Sequence, residues 1–376
     1  MTPTTTVLLP VRDGAATLAD SLASLVAQTD PDFEVVVVDD GSCDDTPALL
    51  AAWAARDPRF RVFRRPATGL VAALQFGLAQ ARGRFIARLD ADDRARPRRL
   101  EAQRALLASR PDLGLVSCLV AYHPPPGPPA DSPTDSPSNP GPPAADPPDR
   151  LERPSAAGLA RGTPPGVGFA RYVDWMNSLL TPDDIERERF VESPLAHPSV
   201  MFRRALIERY GGYRPGPFPE DYELWLRWLD AGVRMAKVPE VLLDWYDRPA
   251  RLSRTDADRC RLDRLFALKA VWLARWLARH NPHHPRIMVW GASRLARRRL
   301  APLERQGVTV TGFFDLRPTI IGRQIDGRPV FSRDRLPPPG AAFTVVYVSA
   351  HGARAEIRAR AAAAGWREGV DFLFAA

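Results

Sequence analysis

The chain has 376 residues, 39 of them proline, and a net charge of +8 carried almost entirely by arginine. That length accommodates two cores, and the charge favours anionic partners (nucleotide phosphates, nucleic acid or an acidic membrane face) without choosing among them. Three scattered cysteines, Cys43, Cys118 and Cys260, exclude a disulfide framework or a zinc spacing, and no apolar run approaches the roughly 20 residues of a membrane span, so a reducing, cytoplasmic setting is expected.

Residues 6–11 read as a buried strand closed by Pro10, and Asp13-Gly14 turns the chain. Thr17 and Asp20 have the spacing of a capping box for a helix whose apolar stripe is Leu18, Leu22, Leu25 and Val26. Residues 33–38 are β-branched enough for a central parallel strand, which stops at Asp39-Asp40-Gly41-Ser42. Asp44, Asp45, Thr46 and Pro47 open a second helix with Leu49, Leu50 and Trp53. A third strand at 60–63 leads through Gly69 into a helix bearing Leu70, Leu74 and Leu78. The fourth strand, Phe85-Ile86-Ala87-Arg88-Leu89, ends abruptly in Asp90, Asp92 and Asp93. Carboxylates this close repel one another, and a divalent cation would relieve the repulsion and bridge to substrate phosphates. A solvated acidic turn is the plainer account of the cluster taken alone.

This alternation predicts a doubly wound sheet with right-handed crossovers, in which ligands bind beyond the carboxyl ends of the strands. Both acidic clusters fall at such ends. A helix at 97–108 and a strand at 113–120 follow. From His123 to Asp149 there are then 12 prolines in 27 residues, a composition that cannot offset its own ordering entropy and reads as an insertion at about 123–150. Helical spacing returns with Tyr172, Trp175, Met176 and Leu179. A segment containing His197 precedes a short helix stopped by Gly211-Gly212. Glu220 and Asp221 stand where another helix begins, with Leu224, Trp225 and Trp228 as its buried face. For Asp221 alone, an N-cap is the commoner role.

Residues 258–280 form a basic helix that either connects two domains or lies on an anionic membrane surface. Beyond it, a strand at 286–290 meets Gly291-Ala292-Ser293-Arg294-Leu295-Ala296, a degraded dinucleotide fingerprint, and a strand at 308–314 ends in Asp315, where a ribose-binding acid would stand. A strand at 343–348 and a helix at 353–364 complete a small Rossmann-like unit. The expected division is 1–255, a linker helix at 256–284, and 285–376.

Four stretches, Pro10-Val11-Arg12-Asp13, Val38-Asp39-Asp40-Gly41-Ser42, Leu89-Asp90-Ala91-Asp92-Asp93 and Pro219-Glu220-Asp221-Tyr222-Glu223-Leu224-Trp225-Leu226-Arg227, resemble in order and approximate spacing the inverting family 2 glycosyltransferases of GT-A fold. The resemblance covers about residues 4 to 255. It implies an α/β architecture, a GT-A doubly wound mixed sheet followed by the smaller Rossmann-like α/β domain. It further implies a nucleotide-sugar site formed by Pro10, Asp39, Asp40, Asp90, Asp92, Glu220 and His197. Asp40 would contact base or ribose. Asp92, of the DxD element, would be the direct ligand of a divalent metal, Mn²⁺ or Mg²⁺, and Asp221 the base that deprotonates an acceptor hydroxyl. The missing Gln of the processive synthases before Arg227-Trp228, and the lack of spans, favour addition of a single sugar to a glycan or lipid-linked acceptor of cell-envelope polysaccharide, with peripheral contact at the inner face of the membrane as an option. Nucleic acid is not an expected partner. Two rivals stand beside this reading: an NAD(P)-dependent nucleotide-sugar oxidoreductase using the C-terminal domain, and a non-catalytic nucleotide- or carbohydrate-binding scaffold.

Overall fold

The structure, a computed structural model, describes residues 2–125, 167–248, 261–350 and 352–376. Cys260, the boundary expected at 255 and all but the first residues of the proline-rich stretch lie outside these residues.

Strands β1 (Thr5–Val11), β2 (Phe33–Asp40), β3 (Phe60–Arg65) and β4 (Phe85–Arg88) run parallel in the order β3-β2-β1-β4, joined by α1 (Leu18–Val26), α2 (Thr46–Arg56) and α3 (Leu70–Gln80). The chain continues through β5 (Arg94–Ala95), α4 (Arg99–Ser109), β6 (Leu113–His123), α5 (Val167–Ser178), α6 (Pro182–Glu188), a 3-10 turn (His197–Ser199), β7 (Met201–Arg203), α7 (Ala205–Tyr210), α8 (Glu220–Asp230) and β8 (Arg234–Tyr246). Among the described residues these strands make one eight-stranded mixed sheet, β3-β2-β1-β4-β7-β6-β8-β5. β7 is antiparallel to both β4 and β6 and turns the parallel half into a mixed sheet. Sequence reasoning gives no strand at Met201–Arg203, because three residues carry no period; the pairing of Phe202 with Ile86 and Leu115 defines it.

Because side chains alternate across a strand, the valine run of β2 serves two cores. Val35 and Val37 pack with Val7, Leu9, Leu18 and Leu22 on one face. Val36 and Val38 pack with Leu8, Leu74, Trp225 and Trp228 on the other. The run is therefore hydrophobic throughout rather than alternating, as expected of a strand covered on both sides.

A second sheet follows α9 (Leu262–His280). It comprises β9 (Arg286–Trp290), β10 (Thr309–Asp315), β11 (Gln324–Ile325), β12 (Arg328–Ser332), β13 (Thr344–Val346) and β14 (Phe372–Phe374), in the order β11-β12-β10-β9-β13-β14, with α10 (Arg294–Glu304) after β9 and α11 (Ala353–Ala363) before β14. All neighbours are parallel except the β11–β12 hairpin. α9 and α10 cover the face of Ile287, Val289, Phe313 and Val345, and α11 covers that of Met288, Trp290, Phe314 and Val346.

Three local expectations change. Thr17 does not close a capping box; its hydroxyl donates instead to the carbonyls of Gly14 and Ala91, at 3.4 and 3.0 Å. Pro219 takes the N-cap position of α8, and Asp221 becomes its second residue, accepting from the Tyr222 N–H at 2.8 Å. The apolar stripe of α9 is buried against α8 and the second sheet, which removes it as a membrane-lying face.

Candidate active site

The carboxyl ends of β1, β2 and β4 form one rim. β2 and β4 flank β1 on either side, so their ends lie about 10 Å apart at ordinary strand spacing. Pro10 is buried within β1 opposite Val38. The loop after it is laid on the β2–α2 turn: Asp13 N–H donates to Ser42 Oγ at 2.9 Å, and Cys43 N–H donates to Asp13 Oδ1 at 2.7 Å. Gly41 makes that turn with φ +75°, and a side chain there would meet the Ala67 backbone nitrogen at 2.6 Å, so only glycine fits.

The two aspartates at the end of β2 differ in what they do. Asp40 accepts from the N–H groups of Thr68 and Gly69, both at 2.8 Å, and from the Thr68 hydroxyl at 3.2 Å, so both its oxygens hold the loop that starts α3. Asp39 is 1% exposed; its Oδ1 accepts from Ser42 N–H at 2.9 Å, while Oδ2 has no hydrogen bond among the described residues and lies 3.6 Å from the Arg64 guanidinium. Of the two acids, Asp39 is thus the one with an oxygen outside any hydrogen bond among the described residues, whereas sequence reasoning gives the base or ribose contact to Asp40.

Across the rim, carboxylate oxygens of Asp90, Asp92 and Asp93 lie within 4.8 Å of one another. The loop that carries them is pinned from two sides. Thr17, just before α1, and Ser21 within it donate to the carbonyls of Ala91 and Asp90, at 3.0 and 3.1 Å, and Tyr246 N–H donates to Asp93 Oδ1 at 2.9 Å. Converging carboxylates of this kind are a hard-oxygen donor set and fit a divalent cation.

Beneath them stands Arg88, 1% exposed, with Nη2 2.5 Å from Asp90 Oδ1 and with Nε and Nη1 lacking hydrogen-bond partners among the described residues. Burial opposes its charge, but Asp90, with Tyr213 and Glu220, more than offsets that penalty. Sequence reasoning passes over Arg88; the available signal was a lone cation inside an apolar strand.

The opposite wall is α8 with the turn at His197. Glu220 and His197 are both 8% exposed, and His197 Nδ1 lies 3.7 Å from Glu220 Oε1. His197 Nε2 is 2.8 Å from the Tyr213 hydroxyl. Burial, aided by Arg88, holds the imidazole well below its ordinary pKa and hence neutral, and burial likewise raises the Tyr213 phenol. Burial, then the charge of Glu220, pushes the Asp221 carboxyl up to about 7, against the opposing pull of Tyr222 N–H and Arg88. Arg88 therefore lies within electrostatic reach of Asp90 on one side and of Glu220, Asp221, Tyr213 and His197 on the other.

The segment just before Tyr213 is held by α8. Arg227 pairs with Glu223 at 3.0 Å and donates to the carbonyls of Tyr210, Gly211 and Gly212. Gln75 donates to the Tyr213 carbonyl at 2.9 Å, a structural use of that side chain.

In the second sheet, Ser293 caps α10 through Ala296 N–H at 3.1 Å, and Gly291 adopts φ +111°. Asp315 does not stand open to a ribose: it accepts from Ala292 N–H at 2.9 Å and is clamped by Arg317 at 2.9 and 3.0 Å. The cavity beside it is about 40 Å³, lined by Trp290, Gly291, Phe314, Arg333 and Val348 among others, against several hundred Å³ for a typical ligand pocket.

Residues 6–133 match the family model for glycosyl transferase family 2. The chain is 27% identical over 227 residues to the amylovoran biosynthesis glycosyltransferase AmsE of Erwinia amylovora, covering 60% of this chain and 69% of that one. It is 27% identical over 247 residues to the UDP-Gal:alpha-D-GlcNAc-diphosphoundecaprenol beta-1,3-galactosyltransferase of Escherichia coli, covering 65% and 74%. Among solved structures, the mannosyltransferase PcManGT from Pyrobaculum calidifontis, in complex with GDP-Man and Mn²⁺, aligns with a TM-score of 0.48 at 19% identity, covering 82% of this chain and 70% of that one. The strand-end carboxylates and the sequence match lead to the same place: residues 6–133 are a glycosyl transferase family 2 domain, and the protein is a glycosyltransferase.

Proposed function

We propose that the protein transfers one sugar from a nucleotide-sugar donor to a hydroxyl of a glycan or lipid-linked acceptor, by a single displacement that inverts the anomeric centre. The observation that carries this reading is the placement of Asp221 at the start of α8, beside Glu220 and within electrostatic reach of the Arg88 that pairs with the strand-end carboxylate Asp90; burial there pushes its carboxyl up to about 7. A base poised near neutrality is about half deprotonated at pH 7 and still basic enough to take a hydroxyl proton.

Asp39, with its spare buried oxygen, is the group proposed to accept from the donor's base or ribose, and Asp40 supports it from the adjoining loop. Pro10 would line the floor of that pocket. Asp92 is the proposed direct metal ligand, with Asp90 and Asp93 beside it. When bound, a divalent cation would offset the negative charge that develops on the departing diphosphate. Asp221 takes the acceptor proton, while Glu220 keeps that carboxyl basic through its charge. Neutral His197, held by Tyr213, shapes the acceptor side without adding a competing cation.

The proposed units are a transferase region over 1–255 and an accessory α/β region over 285–376. None of the described helices is long and apolar enough to cross a membrane. The Escherichia coli relative is named for a diphosphoundecaprenol acceptor, which supports a lipid-linked acceptor met at the membrane surface. The test is a thermal-shift screen of nucleotide sugars with and without Mn²⁺, followed by transfer assays with the donor that binds. Wild-type transfer by a folded Asp221→Asn variant would sink the mechanism.

A further inference from the structure

The second sheet rests on the two stretches that bring Glu220, Asp221 and His197 to the site. α9 packs along α8, and Tyr222 and Leu226 share one core with Leu265, Phe266, Leu273 and Trp276. At the far end of α8, Asp230 pairs with Arg275 at 3.1 Å and with Arg279. On the segment leading to His197, buried Glu188 meets Arg358 and Arg354 of α11. At the centre, Lys269 is 3% exposed, and its Nζ donates to the Val191 carbonyl at 3.0 Å and the Ala375 carbonyl at 2.9 Å, with the Phe266 ring 3.9 Å away. The Tyr222 hydroxyl donates to the Arg189 carbonyl at 2.6 Å, so the two stretches are also tied to each other.

The donor side is built differently. β1, β2 and β4 pack in two cores to which the described residues of the second sheet contribute nothing. The strand-end crevice of that sheet is small and its acid, Asp315, is already bonded, so the surface it invests in is the one against α8.

We infer that the C-terminal α/β unit is a buttress for the wall carrying Glu220, Asp221 and His197, and that Lys269 is the positioning residue that locks it there. The catalytic half of this inference rests on the transferase reading; the structural half does not. A base must be held within a fraction of an ångström of its target, and a helix gripped along its length and at its far end is held that way.

Hydrogen exchange on the full chain tests it, in wild type, Lys269→Met and Asp230→Asn. The second variant, at the rim of the contact, covers the case in which the first fails to fold. Peptides spanning 188–199 and 219–226 should exchange about tenfold faster or more in the variants, while those spanning 33–40 and 85–93 stay within about twofold. Unchanged exchange in the folded variants, or an equal rise across 5–125, overturns the buttress. With the donor found by the thermal-shift screen, kcat should fall about tenfold at unchanged donor KM; a raised donor KM at unchanged kcat overturns the catalytic half.

Discussion

Arg88 and Asp90 form an ion pair at 2.5 Å in which the cation is buried and the carboxylate is half open to the site. The pair places a permanent positive charge under a rim that is otherwise acidic, between the strand-end trio and the wall of α8.

Asp90→Asn should therefore destabilise the protein out of proportion to the exposure of Asp90. Of the acidic groups that hold the buried guanidinium charged it leaves Glu220, and breaking a buried pair from one side costs about 3 kcal/mol or more. Urea denaturation of the two proteins measures this, and equal midpoints would mean that Glu220 alone neutralises Arg88.

Asp221 predicts opposite effects on rate and stability. Because the proposed base works deprotonated, kcat/KM should rise with pH through about 7. Its folded pKa lies above the unfolded value near 3.9, so its contribution to stability is full below about pH 4 and is lost as pH rises through about 7. Asp221→Asn should lose transfer by roughly 10²–10⁴-fold and be more stable than wild type at pH 8. Parallel rate profiles and thermal melts at pH 5 and pH 8 check both signs.

The cation reading predicts a ligand-linked melt. With nucleotide present, saturating Mn²⁺ should raise the melting temperature of wild type but not of Asp92→Asn; a hundredfold excess over Kd corresponds to about 2.7 kcal/mol. An equal rise in both proteins would remove Asp92 from the ligand set.

Tyr213→Phe strips the partner from buried His197 Nε2, which costs about 1–3 kcal/mol of stability. Burial keeps His197 neutral, so its ring should show no protonation by NMR down to about pH 5 in wild type. Protonation near pH 6.5 would show that the site is wetter than its packing indicates.

Burial also lowers the ammonium groups of Lys237 and Lys269 to about 7. A lysine with a depressed folded pKa binds fewer protons folded than unfolded, so stability should increase from pH 7 towards 10. Melts of wild type and Lys269→Met across that range should differ in slope, and parallel slopes would place the Lys269 titration elsewhere.

The four parallel strands and their helices were legible because the valine run at 35–38 and the apolar stripe of α1 carry strong periods. The acidic strand end was legible for a simpler reason, since three carboxylates in four residues need an account. Arg88 and Tyr213 were not, because their meaning comes from partners distant in sequence: Tyr213 matters through His197 and through the carbonyls that Arg227 holds. β7 was missed for want of length. At the end of β2 the sequence shows two adjacent acids, and only the position of Thr68 and Gly69 tells which of them is spent.

That difference between Asp39 and Asp40 has a use in engineering donor choice. One acid is masonry, and on the proposed donor contact its neighbour is the handle. A library meant to change the accepted nucleobase should keep Asp40 fixed and randomise position 39 together with Arg64, the cation that faces its spare oxygen.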